Sequence, residues 1–360
     1  MKRLGGIWRQ VVSFENLLSA YRKARRGKRE RPEVARFGLD LEKELLSLQR
    51  ELLAGDYHPG TYRLFTLYER KPRLIAAAPF RDRVVHHAVM NVIEPALDRT
   101  FLHDSYACRA GKGVHAAVAR YQGWARRYAY VLKMDIAQYF PSVDHDLLRD
   151  KLRRRIKDKC VLALLDRIID GSPAVDRTLE YFPGDDLLTP ISRRTGIPIG
   201  NLTSQFFANL YLDDFDHYAK EVLHCKAYLR YVDDTVVLDD DKAKLGELRA
   251  VVRERLARDR LRLHPRKVQV SRVSEGLDLL GYLVYPHRRR LRNDNGHHFT
   301  RRLRRMAAMY AADRLDWAAI DASVQSWIAH ACHADTWGLR RAIFSRIIFR
   351  RGTDREATGV

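Results

Sequence analysis

Two adjacent carboxylates in the middle of an apolar stretch most constrain how this chain can fold. Asp233 and Asp234 follow the apolar positions Tyr228 and Leu229 and precede the run Thr235–Leu238. This pattern predicts a buried β-hairpin with both acids at its tip. Two carboxylates held together repel each other unless a cation lies between them. The pattern therefore indicates a divalent-metal site for chemistry on phosphates, and the open alternative is a solvent-exposed turn, where Asp is also common.

The net charge makes a polyanion the expected partner. The 360 residues include 66 Lys or Arg and 45 Asp or Glu, which gives a formal charge of +21. Such a charge favours nucleic acid over a membrane, and no stretch of about 18 apolar residues occurs in the sequence. Arg9 interrupts the apolar segment that a signal peptide would need. The four cysteines form no C-x-x-C pair, so the sequence fits a reducing cytoplasm rather than a disulfide framework or a zinc ribbon.

Hydrophobic periodicity and turn residues predict the order of helices and strands. Ser13 is expected to cap a first helix, and Gly55 is expected to end a second one. The further predicted elements are a hairpin of Tyr62–Tyr68 and Arg73–Ala77, a helix from Arg81 to near Pro95, a strand Val131–Ile136, a loop or small hairpin Ser172–Thr195, a helix Lys242–Arg258 and two strands, Lys267–Val270 and Leu279–Tyr285. This order indicates an α+β fold, and a basic tail with Trp317, Trp327 and Trp337 predicts a separate helical lobe.

A third carboxylate lies at the end of the predicted strand Val131–Ile136. Asp135 is far from Asp233 along the chain, but both are expected at strand ends. Together they are suited to bind two Mg²⁺ ions, which stabilise the attacking and leaving oxygens of a displacement at phosphorus. The sequence therefore predicts an enzyme of phosphoryl transfer.

Several motifs, in this order along the chain, resemble those of reverse transcriptases. They are Lys71–Arg73, Arg81–Arg83 and Ser105–Arg109 for the fingers of prokaryotic members, Val131–Ile136 with Tyr139 and Phe140 for the first catalytic motif, Gly196–Gln205 for the nucleotide-binding motif, Tyr231–Asp234 for the signature motif, and Leu279–Tyr282 for the primer grip. The resemblance covers about residues 60–285. An ordered set of motifs is far more specific than any one of them.

The resemblance implies a right-hand polymerase with a ferredoxin-like palm sheet and a helical C-terminal thumb. The implied boundaries are 1–60 for an N-terminal helical extension or fingers, 61–130 for fingers, 131–285 for the palm, with 172–205 returning toward the fingers, and 286–360 for the thumb. The implied activity is that of an RNA-directed DNA polymerase, a nucleotidyltransferase that makes cDNA from dNTPs. Its implied partners are a template RNA and the RNA/cDNA duplex, in a prokaryotic or phage-encoded system.

Within that family, the string Ile199–Gln205 resembles the diversity-generating retroelement branch, as do Ser326–Ala331 and Ala334–Thr336. Many other reverse transcriptases have Gln where this chain has Ile199. A Gln amide near the incoming nucleotide can hydrogen-bond, whereas Ile offers only shape, so mispairs are penalised less. The branch implies mutagenic retrohoming, with errors at template adenines, and an oligomeric basic accessory variability determinant protein as a partner.

The resemblance assigns the metal site to four residues. Asp135, Asp233 and Asp234 would bind the two Mg²⁺ ions, for which Mn²⁺ can substitute, and the carbonyl of Ile136 would be a further ligand. The three acids are also the implied catalytic residues.

Cations are implied at both ends of the triphosphate. Arg73 and Lys71 match fingers residues that grip it, and Arg can engage phosphate oxygens in a bidentate way. Without the neighbouring motifs, a solvated hairpin tip would be the better interpretation of these two residues. Lys267 lies where the family has a lysine that protonates the departing pyrophosphate, although Arg262 and Arg266 compete for that role.

Four uncharged residues complete the implied nucleotide site. Phe140 matches the aromatic steric gate that excludes a ribose 2′-hydroxyl, with a simple core aromatic as the alternative. Ile199 would lie near the new base pair, and Gly200 would let the backbone approach the nucleotide closely. Gln205 would orient the templating nucleotide or, alternatively, cap its helix.

Arginines in the tail are expected to contact nucleic acid. They are Arg288, Arg289, Arg290, Arg292, Arg301, Arg302, Arg304 and Arg305. A solvated helix face is the alternative, but phosphate contacts to the template–primer duplex are favoured next to a polymerase palm. His330, Cys332 and His333 also cluster in the tail, yet without a second ligand pair a zinc site is not expected.

Two rival functions stay open from the sequence. One is a reverse transcriptase of the retron or group II intron type. The other is a non-catalytic RNA-binding scaffold derived from a polymerase, which would have no chemical need for the trio Asp135, Asp233 and Asp234.

Overall fold

The computed structural model describes residues 2–68, 72–173 and 179–351. Its earlier elements are α1 (Trp8–Val11), α2 (Phe14–Ala24), α3 (Pro32–Leu39), α4 (Leu41–Ala54), β1 (Arg63–Tyr68), β2 (Pro72–Ala77), α5 (Phe80–Leu97), α6 (Val114–Ala125), β3 (Tyr130–Met134), α7 (Tyr139–Ser142), α8 (His145–Arg155) and α9 (Lys159–Asp170). Its later elements are α10 (Thr189–Ser192), α11 (Leu202–His217), β4 (Ala227–Tyr231), β5 (Asp234–Asp239), α12 (Lys242–Arg258), β6 (Gln269–Arg272), β7 (Leu277–Leu279), β8 (Tyr282–Val284), β9 (Arg289–Leu291), α13 (Asn293–Ala311), α14 (Trp317–Ala331) and α15 (Trp337–Phe344).

Local sequence sets several helix ends as predicted. The Ser13 hydroxyl accepts the backbone amide of Asn16 and caps α2. Gly55 has a φ of 79° after α4, the left-handed conformation that glycine adopts without steric cost. Helix α5 ends at Leu97, close to its predicted end near Pro95, and Leu97 continues its buried face.

The strands of the described residues form three sheets, and the fold mixes helices and sheets as predicted. β1 and β2 pair as the predicted hairpin, β7-β8-β9 form a second sheet, and the third has the order β4-β5-β3-β6. The single strand predicted at Leu279–Tyr285 is wrong, because Leu280 and Gly281 have positive φ angles of 51° and 95° and turn the chain between β7 and β8. The strand predicted at Lys267–Val270 lies slightly later, at Gln269–Arg272.

The chain divides into two compact units, each with its own core. The first comprises residues 1–113, 132–237 and 243–269, and the second comprises 114–131, 238–242 and 270–360. In the first unit, α11 is buried on most of its surface and places Phe207 and Tyr211 in the core. In the second unit, Phe299 of α13 stacks on Trp327 of α14 with ring centroids 4.0 Å apart, whereas Trp317 and Trp337 are exposed.

Among the described residues, no helix is both long enough and apolar enough to cross a membrane. The division into N-terminal extension, fingers, palm and thumb stays a prediction.

Candidate active site

The two adjacent acids lie at the tip of the predicted hairpin. β4 ends at Tyr231 and β5 begins at Asp234, so Val232 and Asp233 form a two-residue turn. The side chain of Asp234 is 26% exposed, and Asp233 is also only partly accessible. The acids are therefore not on a fully exposed turn, which was the alternative interpretation of the sequence.

Asp135 follows β3, which is the neighbour of β5 in the four-stranded sheet. Its carbonyl accepts the amide of His264 at 2.7 Å, and the amide of Ala137 donates to the carbonyl of Arg262 at 2.8 Å. These two bonds fix the segment that carries the acid, and neither of them uses the carbonyl of Ile136. Asp135 itself is buried.

Two lysines lie beside the acids. Lys267 Nζ is 2.6 Å from Asp135 Oδ2, and Lys133 Nζ is 3.8 Å from Asp234 Oδ1. Lys267 was predicted for the site, whereas Lys133 was missed. The signal for Lys133 was its position two residues before Asp135 on a strand, which places both side chains on one face.

The electrostatics of Asp233 show that these groups form one cluster. The pKa of Asp233 is raised to about 6, first because burial desolvates its carboxylate and then because Asp234 and Asp135 repel its charge. Lys267 opposes this rise. Three carboxylates from two distant parts of the chain therefore act on each other electrostatically.

The cluster has the chemistry that a divalent cation requires. Within the described parts of the chain, no three His, Cys, Asp or Glu side chains already converge closely enough to enclose a metal ion. The cluster nevertheless has hard oxygen donors, as Mg²⁺ prefers, and mutual repulsion that a cation would relieve. The Lys267 side chain, which now neutralises Asp135, is 45% exposed and has room to move.

Of the three cations that competed for one role, Lys267 is the one whose side chain bonds to a predicted catalytic acid. Arg262 donates instead to the Glu180 side chain at 2.9 Å and to the Tyr181 carbonyl at 2.6 Å. Arg266 bonds through its backbone amide to His264 at 3.2 Å. The geometry thus separates candidates that the sequence left open, while proton transfer by Lys267 stays a prediction.

The predicted nucleotide-binding segment is attached to strand β2. The carbonyl of Ile199 accepts the amide of Ala76 at 3.1 Å, and the side-chain amide of Asn201 donates to the Ala76 carbonyl at 3.1 Å. Gly200 between them has a φ of 112°, and a Cβ there would lie 3.1 Å from Ile75 Cγ2. The close approach that glycine allows is therefore an approach to β2.

Phe140 lies next to the same segment. Its carbonyl accepts the amide of Ile197 at 3.0 Å, and its ring meets the ring of Tyr139 edge-on at 5.8 Å. Tyr139 is buried and donates to the Ala208 carbonyl at 2.5 Å, whereas Phe140 is half-buried. Tyr139 is thus the core aromatic of this pair, and the ring of Phe140 is partly accessible.

Two further predicted nucleotide contacts lie at exposed positions. Arg73 is exposed and pairs with Leu67 in the β1-β2 ladder. Gln205 is exposed in the first turn of α11, three residues inside the helix, so it does not cap it. Lys71 lies outside the described residues.

The tail arginines lie in or beside β9 and along α13. Arg289 donates to the Gln122 side chain at 2.6 Å, and Arg292 forms an ion pair with Asp278 at 2.9 Å. On α13, Leu303 is buried while its basic neighbours are exposed, namely Arg301, Arg302, Arg304 and Arg305. Arg288 lies over the Tyr285 ring, Arg290 is exposed in β9, and a cavity of about 610 Å³ is lined in part by Arg292, Arg301 and Arg304.

The histidines of the tail make aromatic and hydrogen-bonding contacts. His333 stacks on His115 with ring centroids 3.5 Å apart, and His330 Nδ1 lies 2.9 Å from the Tyr282 hydroxyl.

These residues form a cluster of three acids and two lysines on a scaffold of helices and sheets. Residues 66–284, more than half of the chain, match the family model described as reverse transcriptase (RNA-dependent DNA polymerase). The chain belongs to the reverse transcriptase family and is an RNA-directed DNA polymerase, a nucleotidyltransferase.

Three relatives show the range of the family around this chain. Protein YkfC of Escherichia coli K12 is 27% identical over 69% of this chain and 72% of its own length. Group II intron-encoded protein LtrA of Lactococcus lactis is 22% identical over 50% of this chain and 29% of its own. Nuclear intron maturase 1 of Arabidopsis thaliana is 29% identical over 24% of this chain and 12% of its own. The chain thus spans less than a third of the two intron-related proteins.

Proposed function

We propose that this protein synthesises cDNA by extending a primer on a template RNA, with dNTPs as substrates and two Mg²⁺ ions held by Asp135, Asp233 and Asp234. The observation that carries the proposal is the electrostatic cluster at the β4-β5 turn, where burial and two neighbouring carboxylates raise the pKa of Asp233. A buried group of like charges favours a divalent cation as its partner.

The residues of the chain would have separate roles in the reaction. The bound cations would stabilise charge on the attacking and leaving oxygens at phosphorus. Asp135, Asp233 and Asp234 would hold them, with the Ile136 carbonyl as a further donor. Lys267, placed at Asp135, would give its proton to the departing pyrophosphate. Catalysis would otherwise rest on positioning of the nucleotide and primer.

A nucleotide pocket is proposed beside β2. The hydrogen bonds from Ala76 to Ile199 and Asn201 join the predicted triphosphate strand to the predicted base-pair segment. Arg73 and Lys71 would grip the triphosphate, Phe140 would act as the steric gate, and Gln205 would face the template. The contact between segment 199–201 and β2 also supports the predicted return of 172–205 toward the fingers.

The right-hand layout is part of the proposal. Elements β3, β4, β5 and β6 follow one another with helices after β3 and β5, and their sheet order is β4-β5-β3-β6. This succession and order are those of a ferredoxin-like β-α-β-β-α-β unit, which supports a palm of that type. The helices α13, α14 and α15 would form the thumb.

Removal of one acid tests the proposed site. Asp233→Ala should reduce RNA-templated dNTP incorporation to background, because a principal metal ligand is lost, while RNA affinity stays unchanged. Primer extension with Mg²⁺ and fluorescence anisotropy of labelled RNA give the two readouts.

Asp150→Ala, at an exposed aspartate of α8, is the matched control and should stay active. Mg²⁺ should also raise the thermal midpoint of the unaltered protein and of this control, but not that of Asp233→Ala. Full incorporation by Asp233→Ala would refute the proposed metal site.

Error-prone copying is a finer part of the proposal and rests on Ile199. Ile199→Gln should lower misincorporation opposite template adenine about tenfold, because a polar group near the new pair can penalise mispairs. Ile191→Gln, at an isoleucine that is 64% exposed, is the control and should not change it. Sequencing of cDNA from the three proteins measures the error spectra, and identical spectra would contradict the role of Ile199.

Two branches of the reverse transcriptase family are candidates for this protein. A diversity-generating retroelement would require an oligomeric basic accessory variability determinant and a dedicated template RNA. A group II intron type is favoured by the names of the relatives LtrA and intron maturase. Stimulation of cDNA synthesis by a co-expressed neighbouring basic protein supports the first candidate, and specific binding of a structured intron RNA supports the second.

A further inference from the structure

A buried arginine lies directly beneath the turn that carries Asp233. Arg230 belongs to β4, and its side chain and that of Asp216 are 1% and 0% exposed. Arg230 Nε donates to Asp216 Oδ1 at 2.7 Å, and Nη2 donates to Asp216 Oδ2 at 2.6 Å. The remaining nitrogen, Nη1, donates to the carbonyl of Val232 at 3.1 Å. One guanidinium thus joins a helix carboxylate to the backbone of the turn.

The turn has a backbone conformation that needs such support. Val232 has a φ of 56°. This left-handed region disfavours a β-branched side chain, because its Cβ crowds the backbone. Strained residues persist only where the surrounding structure holds them.

The carbonyl that Arg230 holds controls the direction of the next residue. The peptide between Val232 and Asp233 is planar, so fixing the Val232 oxygen also fixes the Asp233 amide. The position of the guanidinium therefore reaches the backbone of Asp233, which carries the carboxylate, through one rigid peptide.

Both partners of the pair are fixed from several sides. The Arg230 amide donates to the Asp104 carbonyl at 3.0 Å, and its carbonyl accepts the Tyr106 amide at 3.0 Å. Asp216 also accepts the hydroxyl of Tyr228 at 2.5 Å. The guanidinium is therefore anchored to a frame that does not depend on the turn.

Stability alone is a weak reason for such a pair. Desolvation of two charges offsets much of their attraction, and apolar side chains of similar volume often serve a buried site equally well. An apolar side chain could not donate to the Val232 carbonyl. The guanidinium also donates to the side-chain oxygen and to the carbonyl of Asn209, at 3.4 Å each, and the bond to the Val232 carbonyl is the one that links it to the turn.

We propose that Arg230, oriented by Asp216, is a positioning residue that holds the strained Val232 peptide and thereby sets where the Asp233 carboxylate meets the metal ions. The inference rests on the proposed function, since it takes Asp233 as a metal ligand. It adds a residue that touches neither substrate nor metal but decides how well the metal site is formed.

The test is a substitution at Arg230 that keeps the positive charge but removes the hydrogen-bonding geometry of the guanidinium. Arg230→Lys retains the cation, but an ammonium cannot engage Asp216 at two points and also reach the Val232 carbonyl. In steady-state primer extension, kcat should fall about 30-fold and the Mg²⁺ concentration for half-maximal rate should rise about tenfold. The KM for dNTP and the Kd for primer–template should stay within about twofold.

A matched pair on the same helix provides the control. Asp213 of α11 is also buried and pairs with Arg155 at 2.6 Å, but its hydrogen bonds do not involve the turn. Arg155→Lys should leave the Mg²⁺ requirement unchanged, whatever it does to the thermal midpoint. Equal Mg²⁺ requirements in Arg230→Lys and Arg155→Lys would overturn the proposal, because a purely structural role lowers the amount of active enzyme rather than its metal dependence.

A second variant keeps the proposal testable if Arg230→Lys fails to fold. Val232→Gly retains the ion pair and removes the strain, since glycine adopts positive φ freely, but it lets the turn move. The Mg²⁺ requirement should rise about threefold without loss of thermal stability. A folded Val232→Gly with an unaltered Mg²⁺ requirement would show that the turn needs no fixed geometry and would overturn the proposal.

The proposed metal site and the positioning role of Arg230 can be refuted separately. If Asp233→Ala retains incorporation, the proposed metal site itself is wrong. If Asp233→Ala is inactive while Arg230→Lys and Val232→Gly both have the Mg²⁺ requirement of the unaltered protein, only the positioning role of Arg230 is wrong.

Discussion

At the scale of single residues, the carboxyl of Asp233 lies where burial and neighbouring charge both oppose its ionisation. Its pKa is raised to about 6 for these two reasons. Asp135 and Asp234, by contrast, lie beside Lys267 and Lys133. Lysines therefore lie beside two of the acids, and the third, Asp233, has its charged form disfavoured by burial and by its acidic neighbours.

This crowding predicts a pH dependence of stability. Folded Asp233 binds a proton more tightly than the unfolded chain, whose Asp pKa is about 4. The free energy of unfolding of the metal-free protein should therefore fall as pH rises from about 4 to about 6 and level off above that. Asp233→Asn should remove this part of the pH dependence, which urea unfolding at several pH values measures.

Comparison of the unaltered protein with Asp233→Asn isolates the effect of Asp233 on the free energy of unfolding. Asp213 also has a pKa raised to about 6 by burial, but it is present in both proteins and cancels in the difference. A stability difference that stays constant from pH 4 to pH 7 would contradict the assignment.

Single residues differ in how far the sequence reveals them. The proximity of Asp135, Asp233 and Asp234 was predictable because an acid between apolar strand residues has few structural roles. Lys133 had a signal in its spacing from Asp135, whereas Arg230 becomes informative only when Asp216 is seen beside it. The exact partners of long cationic side chains depend on packing that a linear pattern does not encode.

At the scale of elements, the β1-β2 hairpin and segment 199–201 behave as one part. They are joined by the bonds of Ala76 to Ile199 and Asn201 and by the close approach of Gly200 to Ile75. A change at this junction should displace β2, which carries Arg73, relative to the loop. The proposed effect is on nucleotide binding rather than on chemistry.

Gly200→Ala tests this junction. The added Cβ would lie 3.1 Å from Ile75 Cγ2 at a φ of 112°, so the backbone or β2 must shift. The KM for dNTP should rise about tenfold, and kcat should change less than about threefold. Gly184→Ala is the matched control, because Gly184 has a φ of 91° but nothing within 4 Å of an added Cβ.

The control separates backbone strain from displacement of β2. Both substitutions strain a positive-φ glycine, so both should lower the thermal midpoint. Only Gly200→Ala should change the KM for dNTP. A similar rise in both variants, or in neither, would argue against a nucleotide pocket at this junction.

Most elements followed from sequence periodicity, and the exceptions have local causes. The Ser13 cap, the Gly55 helix end and the β1-β2 hairpin depend on neighbouring residues and were predicted. The turn at Leu280 and Gly281 was missed because Leu280 has an uncommon positive φ in an apolar run that otherwise reads as strand. Side-chain patterns do not report such a backbone conformation.

At the scale of the whole molecule, the charge of +21 is the property most relevant to its partners. A cationic protein releases counterions when it binds nucleic acid, so affinity should fall steeply with salt. Helix α13 contributes an exposed basic face of four arginines. The proposed thumb contacts predict that this face accounts for a measurable share of the salt dependence.

Arg301→Gln with Arg305→Gln tests that share. The two arginines are one helical turn apart and exposed, and each is expected to contact one phosphate. The affinity for an RNA/DNA duplex falls with salt, and the magnitude of the slope of log affinity against log salt concentration should become smaller by about 2. Arg249→Gln with Arg253→Gln, the equivalent spacing on the exposed face of α12, should leave the slope nearly unchanged. Equal slopes in both double variants would locate the duplex elsewhere.

At this scale the sequence predicted the class of fold better than its subdivision. Alternating strands and helices indicated the mixed fold, and the basic tail with its tryptophans indicated the helical lobe. The compact units combine segments far apart in the chain, such as 1–113 with 132–237. Long-range pairing of this kind leaves no local signature, so linear boundaries could not anticipate it.

The adjacency of β3 and β5 in the sheet has a consequence for how the protein folds. Strands separated by a long segment close a large loop when they pair. The loss of chain entropy comes before the stabilising contacts form, so such strands pair slowly. During synthesis, Asp135 comes together with the other two acids only after the chain up to β5 has been made. The cluster of three acids is therefore among the later parts of the protein to form, and an incomplete chain that ends before β5 lacks Asp234 and cannot complete it.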